Sequence, residues 1–165
     1  TESGPPLEIE ANGEKYLFRG RIDRIDFIGA DSARVIDYKT GSKKAKSESF
    51  CGGQTLQLPI YILAAEQITK RKISGAQYWF STSRGKFASV TFSRETLEER
   101  LDDFRLIIAT VDHCIQSGIY IATFPKEMCR TCRYSRACGV NADIIFDRKK
   151  DDRAVMPLLK MLELE

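Results

Sequence analysis

Two stretches decide how this chain folds: Gly20-Arg21-Ile22-Asp23-Arg24-Ile25-Asp26 and Val35-Ile36-Asp37-Tyr38-Lys39-Thr40-Gly41. Both place charged side chains inside short aliphatic runs that are typical of β-strands. Side chains alternate along a strand, so Asp37 and Lys39 are expected on one face, about 7 Å apart along the chain. Asp23 is predicted on the preceding strand of an antiparallel pair, from which it can approach Asp37. Two carboxylates beside an ammonium could hold a divalent cation and polarise a phosphate.

These side chains also fit a plainer interpretation, in which they lie on the wet face of a half-exposed hairpin. For any one of them taken alone, that interpretation is favoured. Asp26 is three residues from Asp23, so an undistorted strand sends it to the opposite face. We therefore predict a structural role for Asp26, with Arg24 or Arg21 as its partner.

The pattern on either side predicts an α/β fold with a mixed central β-sheet flanked by helices. Upstream, Leu7 to Ala11, the turn signal Asn12-Gly13 and an extended run from Lys15 to Ile28 predict a hairpin, so that three strands precede any helix. Downstream, the pattern predicts a polar, mobile loop from Ser42 to Gly53, a helix from Gln54 to Lys70 and a hairpin with strands Ala76 to Ser81 and Phe87 to Phe92. A long helix capped by Ser93 is predicted to run from Leu97 to near Gly118. The remaining residues are predicted to form an irregular segment over 119–143, a charged stretch from Asp147 to Arg153 and an apolar tail from Val155.

Composition restricts the class of protein. With 165 residues, 42% hydrophobic and 30% charged, the chain fits one globular domain. No apolar run approaches the ~20 residues that a membrane span needs, so no membrane partner is expected. The net charge of +3 permits nucleic acid without predicting it. Basic clusters at 43–46, at 70–72 and at Arg130, Arg133 and Arg136 could meet phosphates, although solvated surface is the simpler interpretation of each.

The two stretches resemble motifs of the PD-(D/E)XK nuclease superfamily, and its RecB-like branch fits best. That branch also carries Gln-x-x-x-Tyr on a helix after the lysine, and Gln57-Leu58-Pro59-Ile60-Tyr61 stands at that place. The resemblance implies a restriction-endonuclease-like core over residues 1–124. It also implies a catalytic set of five residues, of which the two aspartates bind Mg²⁺ or Mn²⁺: Asp23, Asp37, Lys39, Gln57 and Tyr61. Spacing alone puts Gln57 and Tyr61 on one helix face, which a surface glutamine beside a packed tyrosine would equally show.

A second motif lies near the C-terminus, where Cys129, Cys132 and Cys138 have the spacing C-x₂-C-x₅-C. Thiolates favour zinc or an iron–sulfur cluster, and a four-coordinate site needs one more ligand. The total of five cysteines is odd, which favours metal binding in a reducing compartment over disulfides and predicts a cytoplasmic protein. The resemblance implies a [4Fe–4S] cluster, as in AddB-type helicase–nuclease subunits, on a C-terminal segment over residues 125–163 that packs on the core.

The resemblance places the fourth cluster cysteine upstream of Thr1, together with a helix that supplies a further His or Glu to the site. Thr1 is not an initiator methionine, and we expect this upstream part of the core to be missing from the sequence. Within the chain, Cys51 and Cys114 are the remaining candidates for the fourth ligand. Cys114 is expected to pack as a small apolar residue. His113 is the only histidine, so a histidine-based catalytic triad is not expected.

The resemblance implies a metal-dependent deoxyribonuclease, exonucleolytic, within a DNA repair or recombination helicase–nuclease. DNA would be the substrate, and a helicase domain or subunit the partner. One alternative is a module of nuclease-like fold and metal cluster that binds DNA ends or a partner without cutting. Another alternative is a zinc-binding adaptor.

Overall fold

Six strands and six helices make up the computed structural model, which describes residues 5–43, 45–121, 132–138 and 142–164. The strands are β1 (Leu7–Ala11), β2 (Glu14–Phe18), β3 (Arg24–Ile28), β4 (Ser32–Lys39), β5 (Lys72–Phe80) and β6 (Ser89–Ser93). The helices are α1 (Gln57–Thr69), α2 (Arg94–Glu99), α3 (Leu101–Gln116), α4 (Ser135–Cys138), α5 (Ala142–Lys149) and α6 (Met156–Leu162), and a short 3₁₀ turn spans Ser83–Gly85.

The central sheet has the strand order β3-β4-β5-β6, and β1 pairs with β2 in a separate two-stranded sheet. Strands β4 and β5 run parallel, with Asp37 opposite Tyr78, while the other neighbours are antiparallel. Parallel neighbours need a crossover connection, which α1 provides by packing across both strands. The predicted mixed α/β architecture is therefore confirmed.

Strand β4 is central because its residues are buried on both faces. Val35 and Ile36 are fully buried, and Asp37 is 4% exposed. The core beneath the sheet joins aliphatic side chains of β4, β5 and α1 to aromatic side chains of β6 and α3; its fully buried members include Ala33, Val35, Ile62, Ile73, Leu97 and Phe104. The end of β4 that carries Asp37 and Lys39 is thus anchored by the buried core.

The prediction of one extended run from Lys15 to Ile28, and of three strands before any helix, was wrong. The chain leaves β2 at Phe18 and starts a different sheet at Arg24, so four strands precede α1. Residue pairing explains the break: β2 pairs with β1, whereas Arg24 opens a ladder with Ile36 of β4. The exposed residues 19–21 between the strands provide the change of sheet.

The single long helix predicted after Ser93 is also divided. Ser93 caps α2 as expected, since its hydroxyl accepts a hydrogen bond of 3.0 Å from the Thr96 amide. The backbone of Arg100, at φ −117° and ψ 26°, then leaves the helical region, and α3 begins at Leu101. The apolar spacing runs through this break, which is why periodicity alone did not reveal it.

The part of the β4–α1 loop from Ser49 to Gly53 is packed, so the prediction of a mobile segment from Ser42 to Gly53 was wrong for these residues. Phe50 is fully buried, with its ring centroid 5.3 Å from that of Phe92 and 6.0 Å from that of Phe104. The Gly52 amide donates a 2.7 Å hydrogen bond to the Leu164 carbonyl. These contacts fasten the loop to β6, α3 and the C-terminal residues.

The C-terminal part contains more helix than predicted. The segment 119–143 was expected to be irregular, but it contains α4 and the start of α5, and the apolar tail after Val155 forms α6 against α3. Among the described residues, no helix is long and apolar enough to cross a bilayer.

Candidate active site

The end of β4 brings a carboxylate and an ammonium together. Asp37 and Lys39 lie on the same face of the strand, and Lys39 Nζ is 2.6 Å from Asp37 Oδ2. The Lys39 side chain remains about one-third exposed, so its ammonium is accessible from solvent. The strand therefore presents one buried negative charge and one accessible positive charge at the same point.

Helix α1 completes this cluster with Gln57, its first residue. The Gln57 side-chain carbonyl accepts a 2.8 Å hydrogen bond from Lys39 Nζ, and its Nε2 donates to Asp37 Oδ1 at 3.1 Å. The amide can face only this way, because a flipped amide would set a donor against the ammonium. Gln57 thus fixes the relative positions of the two charged groups.

Tyr61 lies one helical turn further along α1 and extends the network to the segment before β3. Its hydroxyl accepts from Gln57 Nε2 at 2.8 Å and donates to the Arg21 backbone carbonyl at 2.6 Å. Asp23, two residues after that carbonyl, lies one residue before β3 and not within the strand as predicted, and an extension of the β3–β4 register places it opposite Asp37. One Asp23 oxygen accepts a 3.0 Å hydrogen bond from the Tyr38 amide. The structure therefore brings all five predicted site residues to the same end of β4.

Tyr78 forms the floor of the cluster, on β5 beside Asp37. Lys39 Nζ lies 4.8 Å from the centre of the Tyr78 ring, a cation–π distance. Burial, followed by the nearby negative charge of Asp37, raises the pKa of Tyr78 to about 12. The aromatic floor keeps water from one side of the ammonium.

Comparison with known proteins identifies the family that has this arrangement. A family model described as the PD-(D/E)XK nuclease superfamily matches residues 2–139. The chain belongs to the PD-(D/E)XK nuclease superfamily. Membership confirms the resemblance noted in the sequence, and the mixed sheet flanked by helices is consistent with the superfamily fold. No solved structure matches the chain.

Similar curated proteins are named as subunits of an ATP-dependent helicase/deoxyribonuclease. The protein of Clostridium perfringens (strain SM101 / Type A) is 32% identical over 137 residues, which are 71% of this chain and 12% of that relative. The protein of Carboxydothermus hydrogenoformans is 48% identical over 62 residues, 36% of this chain and 6% of the relative. The protein of Symbiobacterium thermophilum is 45% identical over 65 residues, which are also 36% of this chain and 6% of that relative. The chain therefore spans only a small part of the relatives it matches.

Members of the superfamily generally use divalent metal ions, and the carboxylates of this chain fit such an ion. Asp37 Oδ2 is buried and lacks a hydrogen-bond donor; Lys39 Nζ is close enough for an ion pair but lies outside hydrogen-bonding directions. The Lys39 ammonium offsets the charge of this oxygen without an aligned hydrogen bond, so the oxygen can also accept a divalent cation. Mg²⁺ retains several waters and needs only one or two carboxylates, a number that Asp37 and Asp23 would provide. Across the described residues, no group of three or more His, Cys, Asp or Glu side chains is placed to hold a metal ion.

Asp26 lies outside the cluster, as its position in the strand predicted. Its carboxylate pairs with Arg24 Nε at 2.5 Å and with an Arg34 nitrogen at 3.4 Å. The hydrogen bond from Arg24 holds the pKa of Asp26 below its usual value. The predicted partner Arg24 is thus confirmed, whereas Arg21 takes no part.

The cysteine motif is only partly visible. Cys132 and Cys138 are partly buried and form no disulfide within the described residues, and Cys129 lies outside those residues. Cys114 is buried in α3, and burial raises the pKa of its thiol, which confirms the expected packing role. Cys51 lies in the packed loop after β4, where its thiol is 3.3 Å from the Ser49 hydroxyl.

Some groups that contribute to the site were not predicted from the sequence. Tyr78 and the Arg21 carbonyl reach the cluster only through the β4–β5 pairing and the Tyr61 hydrogen bond. The alternation of apolar residues along β5 could have indicated that Tyr78 is buried, but not that it lies beneath Lys39. A groove elsewhere on the molecule, lined by Arg105, Ala109, His113 and Pro157 among others, shares no residue with the cluster.

Proposed function

We propose that this chain is a divalent-metal-dependent deoxyribonuclease domain of a DNA repair or recombination helicase–nuclease. The observation that carries the proposal is the buried Asp37 oxygen without a hydrogen-bond donor, 2.6 Å from an accessible lysine ammonium and opposite a second aspartate in the strand register. Membership of a nuclease superfamily supports the reaction class.

In this proposal Asp23 and Asp37 hold Mg²⁺ or Mn²⁺. The ion, when bound, supplies positive charge that polarises the scissile phosphate and stabilises charge that develops on it. Asp37 would hold the ion together with Asp23, while the hydrogen bond from Gln57 Nε2 to Oδ1 fixes the orientation of the Asp37 carboxylate. The carboxylate is thereby kept in one orientation by the protein, which lowers the entropic cost of assembling the site.

Lys39 is the group proposed to act on the substrate directly. A lysine ammonium has three N–H donors. One is directed to Gln57 Oε1, and the face towards Asp37 is occupied by the ion pair. The remaining accessible face can donate to a phosphate oxygen or orient the attacking water. Gln57 and Tyr61 are positioning residues in this scheme, because they act through the charged groups they hold.

The names of the relatives support the setting proposed for the domain. They name a subunit of an ATP-dependent helicase/deoxyribonuclease, so we propose DNA as the substrate and a helicase domain or subunit as the partner. The core would span residues 1–124, act as an exonuclease and work in the cytoplasm. The segment 125–163 would pack on that core and hold a [4Fe–4S] cluster through Cys129, Cys132 and Cys138, with iron and acid-labile sulfide content as its test.

The test is cleavage of end-labelled single-stranded and duplex DNA by this chain while Mg²⁺ or Mn²⁺ is titrated. Cutting should require the cation, stop on chelation and fall by on the order of 100-fold or more in Asp37→Ala and in Lys39→Ala. Asp26→Ala removes a carboxylate outside the cluster and should cut like the parent protein. DNA binding without cleavage at every metal concentration would contradict the proposal and favour a non-catalytic binding module.

A further inference from the structure

Two loops meet at the end of the central sheet that carries Lys39: the loop after β4, which begins at Thr40, and residues 81–88 after β5. The Ser81 amide donates to the Lys39 carbonyl at 3.0 Å, and the Thr82 hydroxyl donates to the Thr40 carbonyl at 3.0 Å. Both hydrogen bonds join the second loop to the chain immediately around the site lysine. Loop 81–88 therefore has a fixed position beside the candidate active site.

Close packing at Gly85 reinforces this position. A Cβ atom on Gly85 would lie 2.5 Å from Phe80 Cβ and 3.0 Å from the Gly41 carbonyl oxygen, so only glycine permits the approach. Gly41 directly follows the last residues of the β4 motif, which places the tip of loop 81–88 against the first turn after the site. The loop is held there by this close packing together with the Thr82 hydrogen bond to the Thr40 carbonyl.

The two loops carry more positive charge than the net charge of +3 for the whole chain would indicate. Residues 40–47 contain three lysines and residues 81–88 contain Arg84 and Lys86, yet neither loop contains an Asp or Glu. Among the described residues, no carboxylate forms an ion pair with Arg84 or Lys86, and both side chains are exposed. Arg84 and Lys86, without carboxylate partners in the described part of the chain, complement a polyanion such as a nucleic-acid backbone.

Phe87 adds an aromatic surface to this charged loop. Its side chain is 69% exposed, and its φ of 50° is unusual for a bulky residue. Lys86 before it also has a positive φ, of 55°. Hydrogen bonds hold the pair in place, from the Lys86 amide to the Ser83 carbonyl at 3.0 Å and from the Phe87 amide to the Thr82 carbonyl at 3.2 Å. An exposed ring on a strained backbone, directly after two cationic residues, is typical of a functional loop.

We propose that loop 81–88 binds a single strand of DNA beside the scissile phosphate, with Phe87 stacked on a base and Arg84 and Lys86 on flanking phosphates. A phenyl ring can stack only on a base whose face is open, and in a duplex those faces are covered by neighbouring bases. The cations contact the backbone whatever its sequence. The inference deepens the proposed function and rests on it, since it names single-stranded DNA as the substrate form.

The test is the affinity of this chain for a fluorescein-labelled single-stranded oligothymidylate and for a duplex of equal length, measured by fluorescence anisotropy in EDTA. Phe87→Ala should weaken single-strand binding roughly 5- to 150-fold, and it should weaken duplex binding much less. Arg84→Ala/Lys86→Ala should weaken both and reduce the slope of log affinity against log salt by about 1.4, the value for two single-strand phosphate contacts.

The fold offers matched controls at the opposite end of the sheet. Phe27→Ala removes a phenyl ring that is 61% exposed, on β3 opposite the start of β4. Lys70→Ala removes an exposed lysine with the same φ of 55° as Lys86, just before β5 begins. Both controls should bind DNA like the parent protein. Phe87→Leu, which keeps apolar bulk without an aromatic face, should bind as weakly as Phe87→Ala, and Phe87→Trp should retain binding.

Unchanged single-strand affinity in Phe87→Leu, or equal losses in the loop variants and their controls, would overturn the inference. Binding in EDTA involves no hydrolysis, so the result does not depend on catalysis. If loop variants bind normally while the parent protein cuts DNA, the inference fails and the nuclease proposal stands. If the parent protein binds through this loop but never cuts, the nuclease proposal fails and the loop assignment stands.

Discussion

Asp37 combines two properties that rarely occur together in one side chain: it is almost wholly buried, and one of its oxygens lacks a hydrogen-bond donor. Its other oxygen is held by Gln57. A carboxylate that served only as a structural partner of Lys39 could have both oxygens satisfied, as Asp26 does with its two arginines. Asp37, eleven positions further along the chain, is paired at Oδ2 with Lys39 alone and has Asp23 as a second carboxylate beside it, which together make it the candidate metal ligand.

Tyr78 gives this cluster a pH dependence. Burial and then Asp37 raise its pKa to about 12, whereas tyrosine in an unfolded chain ionises near pH 10. Between about pH 10 and pH 12 the unfolded state therefore loses a proton that the folded state keeps. That difference favours unfolding, so stability present below about pH 10 is lost as the pH rises through this window.

Replacement of Tyr78 should reduce this loss. We expect the free energy of unfolding of Tyr78→Phe to fall less between about pH 9 and pH 11 than that of the parent protein, by on the order of 1 kcal/mol. Urea denaturation at both pH values measures the difference. If the two proteins lose the same stability over this range, the environment assigned to Tyr78 is wrong.

At the scale of elements, helix α1 organises the site because its first turn faces the end of β4. Gln57 contacts Asp37 and Lys39 but is proposed to act only through them. We predict that Gln57→Ala lowers kcat on DNA about 10- to 100-fold and weakens the apparent affinity for Mg²⁺, with little change in KM for DNA. Steady-state cleavage over a Mg²⁺ titration separates these parameters.

The same helix offers a control for that prediction. Gln67 donates a hydrogen bond to the Pro6 carbonyl, away from the cluster, so Gln67→Ala changes the same side chain without touching the site. It should leave kcat and the Mg²⁺ dependence unaltered. Equal effects of the two substitutions would show that Gln57 contributes to the helix alone.

Strands β5 and β6 approach each other closely at Gly75. A Cβ atom there would lie 2.8 Å from the Phe92 carbonyl oxygen, whereas a Cβ atom on Gly20 would meet nothing within 4 Å. Gly75→Ala should therefore cost about 1–3 kcal/mol of stability as the strands part, and Gly20→Ala should cost much less. Urea denaturation of the two variants tests this. Similar midpoints for both would contradict the β5–β6 register.

At the scale of the whole molecule, the part of the site carried by local spacing could be predicted from the sequence. Alternation along β4 places Asp37 and Lys39 on one face, and helical spacing does the same for Gln57 and Tyr61. The remainder depends on contacts between distant segments. Tyr78 enters through the parallel β4–β5 ladder, and the burial of Phe50 depends on β6 and α3, so neither was visible in a pattern confined to a few residues.

The errors in the predicted fold have the same origin. Residues 15–28 look continuously extended because strand propensity does not record a change of pairing partner. The apolar stripe that follows Ser93 continues across the break at Arg100, because periodicity does not record one non-helical residue. The mixed sheet was nevertheless predicted correctly, since it depends on the order of elements and not on their boundaries.

The central claim is that Asp37 and Asp23 hold the divalent cation of a nuclease. Binding of Mn²⁺ to this chain tests the claim most directly. The binding is measured as the loss of the free-ion signal in electron paramagnetic resonance. The parent protein and Asp26→Asn should bind the ion alike, while Asp37→Asn and Asp23→Asn should lose that binding although each replaces only a carboxylate oxygen by an amide nitrogen. Undiminished Mn²⁺ binding in Asp37→Asn would contradict the claim.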